Sequence, residues 1–295
     1  MNRLSPEKRT QVVAALVEGT SINATCRMTG VSKNTVLRLL TDLGTVCSIY
    51  QDHALRDLSC NRIQCDEIWS FVGAKQKNVK PEKRDDGWGD IWTWVAIDAD
   101  TKLVPSYRVG PRDLREATAF MTDLAGRLRH RVQLTTDGLN TYLLAVEGAF
   151  NGQVDYAQLI KVYGNDSSRK PERRYSPGVC IDAIPMRVSG APDPDHISTS
   201  YIERQNLTMR MSMRRYTRLT NAFSKKVENH AAAVSLHFMH YNFCRIHATL
   251  KTTPAVAAGM SDHIWKLHEI IDLLEQAEAG FPKKRGPYKP RSISK

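Results

Sequence analysis

Hydrophobic positions recur at helical spacing in residues 3–43, and this pattern predicts three short helices. The apolar stripe within 12–17 is followed by a glycine that ends the first helix. Ser21 and Ser32 are suited to cap the second and third helices, and Gly30 is suited to end the second. The segment therefore predicts a small all-α unit at the start of the chain.

The third predicted helix, residues 33–43, would expose polar side chains near its N-terminus. A short helix, a glycine-containing turn and such a second helix indicate a helix-turn-helix, which places polar donors against DNA bases. A generic three-helix cap has the same short pattern and stays open as the alternative. The candidate DNA contacts are Lys33, Asn34, Thr35 and Arg38.

From residue 63 onwards the pattern predicts strands first, and then helices alternating with strands. Such an order is typical of a mixed α/β sheet. Strands are predicted at 63–72, 91–98, 103–109, 132–136 and 157–162, and helices at 114–128 and from about 141. A long loop at 164–197 is followed by predicted helices at 199–221, 226–241, 254–259 and 262–278.

These elements predict five parts of the chain, separated where the patterning changes. They are a helix-turn-helix domain at 1–45, a linker at 46–60, a mixed α/β domain at 61–260, a C-terminal helix at 261–280 and a basic disordered tail at 281–295. The tail is rich in lysine, arginine and proline, a composition that does not support a packed core.

Charge and cysteine content narrow the class of protein. The net charge of +11 favours a polyanionic partner, of which nucleic acid is the commonest. The six cysteines form no C-x-x-C pair, so neither a zinc ribbon nor a disulfide framework is expected. No apolar segment reaches the length of a membrane helix, and the N-terminus does not resemble a signal peptide. We expect a cytoplasmic protein associated with the nucleoid and no membrane partner.

Three acidic residues are distinguished by their sequence context. Asp66 lies inside the first predicted strand, where a buried carboxylate is costly unless it is paired or binds a cation. Asp137 follows a strand directly, and Glu203 lies near the start of a long predicted helix. Two carboxylates on a sheet and one on an adjoining helix can hold a pair of Mg²⁺ ions, with Mn²⁺ as a possible substitute. By pattern alone, a lone Asp at a strand end is more often a turn former.

Other acids compete with this trio. Glu67 neighbours Asp66, but alternation along a strand sends it to the opposite face of the sheet. Asp98 is explained equally well by the tight hairpin that follows it.

The sequence around the three acids resembles the acidic blocks of insertion-sequence transposases of the DDE superfamily, closest to the IS-one group and its relatives. The blocks are 66–73 (DEIWSFVG), 136–138 (TDG) and 198–208 (STSYIERQNLT). A downstream block at 241–247 (YNFCRIH) resembles the closing motif of many integrase-core transposases. The resemblance covers roughly residues 61–260.

The resemblance implies an RNase H-like fold in which Asp66, Asp137 and Glu203 bind the metals. It also implies a transposase that hydrolyses transposon ends and then joins the freed 3′-hydroxyl to target DNA, acting as an oligomer on double-stranded DNA. Two alternatives stay open: a catalytically inactive DNA-binding regulator, and a nuclease that cuts without joining. Neither the end sequence, the target preference nor the transposition pathway follows from the sequence.

Basic residues agree independently with a DNA substrate. Seven arginines and lysines and no acid lie between residues 204 and 227, although a solvated helix face is the usual explanation of such a run. The predicted phosphate contacts are Arg204, Arg210, Arg214, Arg215 and Arg218, with weaker candidates in the 164–197 loop at Arg169, Lys170, Arg173 and Arg174. In the downstream block, a structural role for Arg245 and His247 is favoured over DNA contact.

Overall fold

The computed structural model describes residues 3–83, 86–164, 178–217 and 220–280. The first three helices are α1 (Pro6–Val17), α2 (Ile22–Thr29) and α3 (Lys33–Ala54). Each helix is preceded by a capping serine whose hydroxyl accepts a backbone N–H of the first turn, as predicted for Ser21 and Ser32. Gly30 ends α2 in the left-handed conformation, with φ 69°.

The third helix is twice as long as predicted. It continues through residues 44–54, where a connecting segment was expected. Cys47 and Gln51 are buried there, so the inward face of the helix extends beyond the predicted end. The Gln51 amide donates hydrogen bonds to the backbone oxygens of Cys47 and Ser235. The predicted helix-turn-helix segment is thus joined to the rest of the chain by a continuous helix.

A mixed six-stranded sheet forms the centre of the molecule. Its strands are β1 (Arg62–Val72), β2 (Gly89–Asp98), β3 (Tyr107–Gly110), β4 (Val132–Asp137), β5 (Val154–Tyr163) and β6 (Cys180–Ser189). Their order is β3-β2-β1-β4-β5-β6, with β4 parallel to both β1 and β5 and the remaining pairs antiparallel. The predicted mixed α/β sheet is confirmed.

Two strands differ from their predictions. The loop predicted at 164–197 contains β6, an edge strand whose side chains are exposed on both faces, so no buried alternation marks it in the sequence. The third strand begins at Tyr107 instead of 103, because the backbone N–H and C=O of Val104 bond the side chain of Asn242.

The remaining helices are α4 (Leu114–Ala125), α5 (Thr141–Phe150), α6 (Ser200–Ser212), α7 (Val227–Met239), α8 (Pro254–Ala257) and α9 (Leu267–Ala279). Of these, α4, α5, α6 and α7 cover the two faces of the sheet, whereas α9 packs against α1 and α3. On one face Trp94 packs with Phe120 of α4 and Tyr142 of α5. On the other, Ile68 belongs to a cluster with Ile202 of α6 and other residues of α6 and α7.

The helix predicted at 199–221 is shorter than expected. It ends at Ser212, because Met213 is extended and a short 3₁₀ turn, Arg214–Tyr216, then turns inward. The Tyr216 hydroxyl, buried there, bonds Thr93 at 2.5 Å and His230 at 3.0 Å. No helix in the described part of the chain is long and apolar enough to cross a membrane.

Close contact between α3 and α7 depends on Gly44. A Cβ atom at this position would lie 2.4 Å from both Cα and Cβ of Ala232. Gly44→Ala is therefore expected to lower the free energy of unfolding by about 1–3 kcal/mol through overpacking.

Urea denaturation tests this expectation, with Gly148→Ala on α5 as the matched control. A Cβ at Gly148 has no neighbour within 4 Å, so this substitution should be neutral or stabilising through helix propensity. Equal stability of the two variants would contradict the proposed close contact.

Candidate active site

Asp66 and Asp137 are neighbours on adjacent parallel strands. Cys65 of β1 pairs with Thr136 of β4, so the residue after each of them lies at the same level of the sheet. Together with Glu67, their carboxylates offer oxygen atoms that all lie within 4.8 Å of one another. The structure thus brings together the first two acids predicted from the sequence.

Helix α6 is held against the first strand beside this pair. The buried side-chain oxygen of Gln64 accepts the backbone N–H groups of Tyr201 at 2.9 Å and Ile202 at 3.1 Å. One turn further along α6, the Asn206 amide donates to Asp66 Oδ2 at 2.8 Å. Asn206 therefore orients the Asp66 carboxylate. Asn206 lies three residues after Glu203, and no local signal in the sequence distinguishes it.

Glu67 lies close to the pair but is bound by other partners. Strand alternation sends it towards α5, as predicted, where it accepts the Tyr142 hydroxyl at 3.0 Å. Its other oxygen accepts from the Arg112 guanidinium at 2.5 Å. Its carboxylate nevertheless lies within 4.8 Å of Asp66 and Asp137, which alternation alone did not predict. Arg112 and Tyr142 are distant in sequence, so no local signal identified either residue.

Glu203 stands apart from the acidic pair in this structure. Its Oε1 atom accepts hydrogen bonds from Lys161 of β5 and from the hydroxyl of Thr199. Among the described residues, the carboxylates within the 4.8 Å grouping are those of Asp66, Glu67 and Asp137. Glu203 is nevertheless near enough to raise the pKa of Asp66 by charge repulsion. The three predicted acids are thus only partly assembled.

Burial and mutual repulsion make the pair reluctant to ionise. Burial, followed by the charges of Glu67 and Asp137, raises the pKa of Asp66 to about 7. Burial also raises the pKa of Asp137, against the hydrogen bond from the Leu139 N–H and the charges of Arg112 and Lys161. Repelling carboxylates of this kind are stabilised in the ionised form by a bound cation.

The donor atoms fit a hard divalent cation. Mg²⁺ prefers carboxylate and carbonyl oxygens, and Asp66 and Asp137 supply carboxylates at adjacent positions. The Oδ1 atom of Asn206 is buried and has no hydrogen-bond partner in the described part of the chain, so it is a further free oxygen beside them. An unpaired buried acceptor is costly unless something occupies it.

The predicted DNA contacts occupy different environments. Near the start of α3, Lys33, Asn34 and Arg38 are exposed, while Thr35 is partly buried and bonds the capping hydroxyl of Ser32. On and after α6, Arg204 and Arg214 are exposed and Arg210 is half-buried. The predicted contacts Arg218, Arg169, Lys170, Arg173 and Arg174 and the tail at 281–295 lie outside the described residues.

Arg215 is half-buried, and its guanidinium is bound within the protein. Its guanidinium donates to Ser224 Oγ at 2.7 Å, and burial lowers its pKa to about 10. Within the block 241–247, Asn242 has the structural role expected of the block, because its side chain bonds both backbone groups of Val104 at 3.0 Å.

Comparison with known proteins finds one informative relative. The chain is 26% identical over 180 residues to the insertion element iso-IS1n protein InsB of Shigella dysenteriae, covering 61% of this chain and 95% of that protein. The similarity to insertion-sequence proteins inferred from the motifs is thereby confirmed. No protein-family profile matches the chain.

Similar solved structures include a simian T-cell lymphotropic virus intasome in complex with the PP2A regulatory subunit B56 gamma, and a synaptic complex of the piggyBac transposase with hairpin DNA. The first is 13% identical, covers 99% of this chain and 80% of that chain, and has a TM-score of 0.39. The second is 10% identical, covers 95% and 74%, and has a TM-score of 0.40. These scores carry no conclusion about this chain.

Proposed function

We propose that this protein is a DNA transposase of the DDE type. The observation that carries the proposal is the adjacency of Asp66 and Asp137 on parallel strands, beside a helix that carries Glu203. The similarity to an insertion element protein supports it. The proposed reaction hydrolyses phosphodiester bonds at transposon ends and then joins the freed 3′-hydroxyl to target DNA.

The side chains divide the work of the site. Asp66 and Asp137 would hold Mg²⁺ or Mn²⁺, and Asn206 would orient Asp66. Glu203 would become a further metal ligand once its ion pair with Lys161 is broken. Two such ions, when bound, activate the attacking oxygen and stabilise the leaving oxygen. Arg112 would offset the charge of Glu67 most directly, at 2.5 Å, and that of Asp137 less, at 3.9 Å.

DNA would be bound by two groups of basic residues. Lys33, Asn34 and Arg38, exposed at the start of α3, would read base edges, as the second helix of a helix-turn-helix does. Arg204 and Arg214 would bind phosphates and so make affinity dependent on salt. Because two ends must be joined to one target, we propose that at least two copies act together.

A strand-transfer assay with the cognate end DNA and Mg²⁺ tests this function. Wild type should release the end and join it to target DNA, whereas Glu203→Gln should bind the DNA without cutting it. Products that are cut but never joined would indicate the nuclease instead. Binding by wild type without metal-dependent cutting would indicate the regulator.

Lys161 is expected to compete with metal for Glu203. Because the two side chains form an ion pair, Lys161→Met should free the carboxylate and strengthen Mn²⁺ binding by about two- to fivefold. Calorimetric titration of Mn²⁺ measures this change. Lys161→Arg keeps the charge and should bind Mn²⁺ as wild type does; unchanged affinity in Lys161→Met would show that the pair does not restrain Glu203.

A further inference from the structure

A second concave surface lies on α6, on a different side from Glu203 and Asn206. It is a cavity of about 430 Å³, a volume within the range of roughly 300–1,000 Å³ that is typical of small-ligand sites. Tyr201, Arg204 and Gln205 of α6 line it, because residues three and four apart share one helix face. Opposite them are Lys102, Arg245 and His247; we call this cavity the α6 pocket.

The α6 pocket concentrates positive charge. Lys102, Arg204, Arg245 and His247 line it, and none of its lining residues within the described ranges is Asp or Glu. Burial and the charges of Lys102, Arg245 and Arg204 lower the pKa of His247, so each of these cations, all of which line the same cavity, acts on this imidazole. Like charges gathered in this way are stabilised by an anion.

The pocket also presents surfaces suited to an aromatic base. Lys102 Nζ lies 3.3 Å from the centroid of the Tyr201 ring, and 42% of Tyr201 is still exposed. Ile246, also lining the pocket, is 57% exposed. The buried Nε2 of Gln205 has no hydrogen-bond partner among the described residues, so an amide donor is left unsatisfied in this wall.

We propose that the α6 pocket binds one nucleotide of an unpaired DNA strand, with its phosphate on Arg204 and Arg245 and its base against Tyr201. Cations that follow the backbone, combined with an aromatic face for the base, are what single-strand binding requires. A base within a duplex is stacked and could not enter a cavity of this kind. The inference rests on the proposed function, since the proposed reaction frees a strand end at Glu203, on the same helix that lines the α6 pocket.

The test measures binding of fluorescein-labelled oligothymidylate to the full-length protein in EDTA, by fluorescence anisotropy. Tyr201→Leu should weaken binding by about fivefold or more through lost stacking. Arg245→Gln should lower the slope of log affinity against log salt by about 0.7, the contribution of one phosphate contact on a single strand. Lys8→Ala, which removes a partly exposed charge from α1, should change neither quantity beyond error.

Two further arms identify the bound group. An abasic oligonucleotide keeps the phosphates but offers no base. Wild type should bind it several-fold more weakly than oligothymidylate, whereas Tyr201→Leu should bind the two oligonucleotides equally. Inorganic phosphate should compete poorly with the oligonucleotide. Equal binding of the abasic strand by wild type, or unchanged binding in both pocket variants, would overturn the proposal, as would effective competition by phosphate alone. Because metal is absent, these outcomes are independent of whether the protein cuts DNA.

Discussion

Asp66→Asn is expected to abolish metal-dependent DNA cleavage, with a loss on the order of 10³-fold or more. Asparagine keeps the shape of the side chain and can still bond Asn206, but it removes a charge that the cation requires. Cleavage of end DNA in Mg²⁺ and in Mn²⁺ measures the loss. Retention of more than a tenth of wild-type activity would show that Asp66 is not a metal ligand.

The same substitution should stabilise the metal-free protein at alkaline pH. The pKa of Asp66 is raised from 3.8, its ordinary value, to about 7 in the folded protein. The contribution of this carboxyl to the free energy of unfolding is therefore fully present below pH 3.8 and is lost as the pH rises towards 7. In EDTA above that range, the free energy of unfolding of Asp66→Asn should exceed that of wild type by on the order of 2–4 kcal/mol. The difference between the two free energies of unfolding should disappear near pH 4. Protonation of buried histidines in acid destabilises both proteins equally, so its effect cancels in the comparison.

Arg112→Met should destabilise the folded protein. It leaves the Glu67 carboxylate, whose side chain is 1% exposed, without its cation and with only the Tyr142 hydroxyl. Breaking a buried pair costs about 3–5 kcal/mol, and because Arg112 is itself 36% exposed we expect about 2–3 kcal/mol. Urea denaturation near neutral pH measures this loss.

Two matched variants separate the cause. Arg129→Met breaks an ion pair with Asp57 in which the two side chains are 57% and 66% exposed, and it should lower stability far less than Arg112→Met does. Adding Glu67→Gln to Arg112→Met removes the unpaired charge and should restore part of the stability. If the double variant is less stable than Arg112→Met, packing of Arg112 over Trp92 explains the loss better than the charge does.

Local signals predicted the parts of the fold that local physics determines. The serine caps and Gly30 act within one helical turn, and β1 and β4 follow from local enrichment in β-branched and aromatic residues. Asp66 and Asp137 were grouped on the resemblance of their sequence blocks, because the local pattern does not show that β1 and β4 are neighbours. The caps and the strands alone required no knowledge of distant contacts.

Features that depend on distant partners could not be predicted in this way. The extension of α3 depends on α7, and β6 is supported by pairing with β5 and not by burial. The position of Glu203 depends on Lys161, which lies 42 residues before it and reaches it from another strand. Likewise, the proximity of Glu67 to the acidic pair depends on where Arg112 and Tyr142 hold its carboxylate.

Calorimetric titration of Mn²⁺ into the metal-free protein near neutral pH tests the metal site most directly. Wild type should bind the ion, and Asp137→Asn should lose this binding. Glu203→Gln should only weaken it, because Glu203 becomes a ligand only once its ion pair with Lys161 is broken. If wild type binds no Mn²⁺ even with end DNA present, or if Asp137→Asn binds it equally well, the acidic pair is not a metal site and the proposed reaction has no basis in this structure.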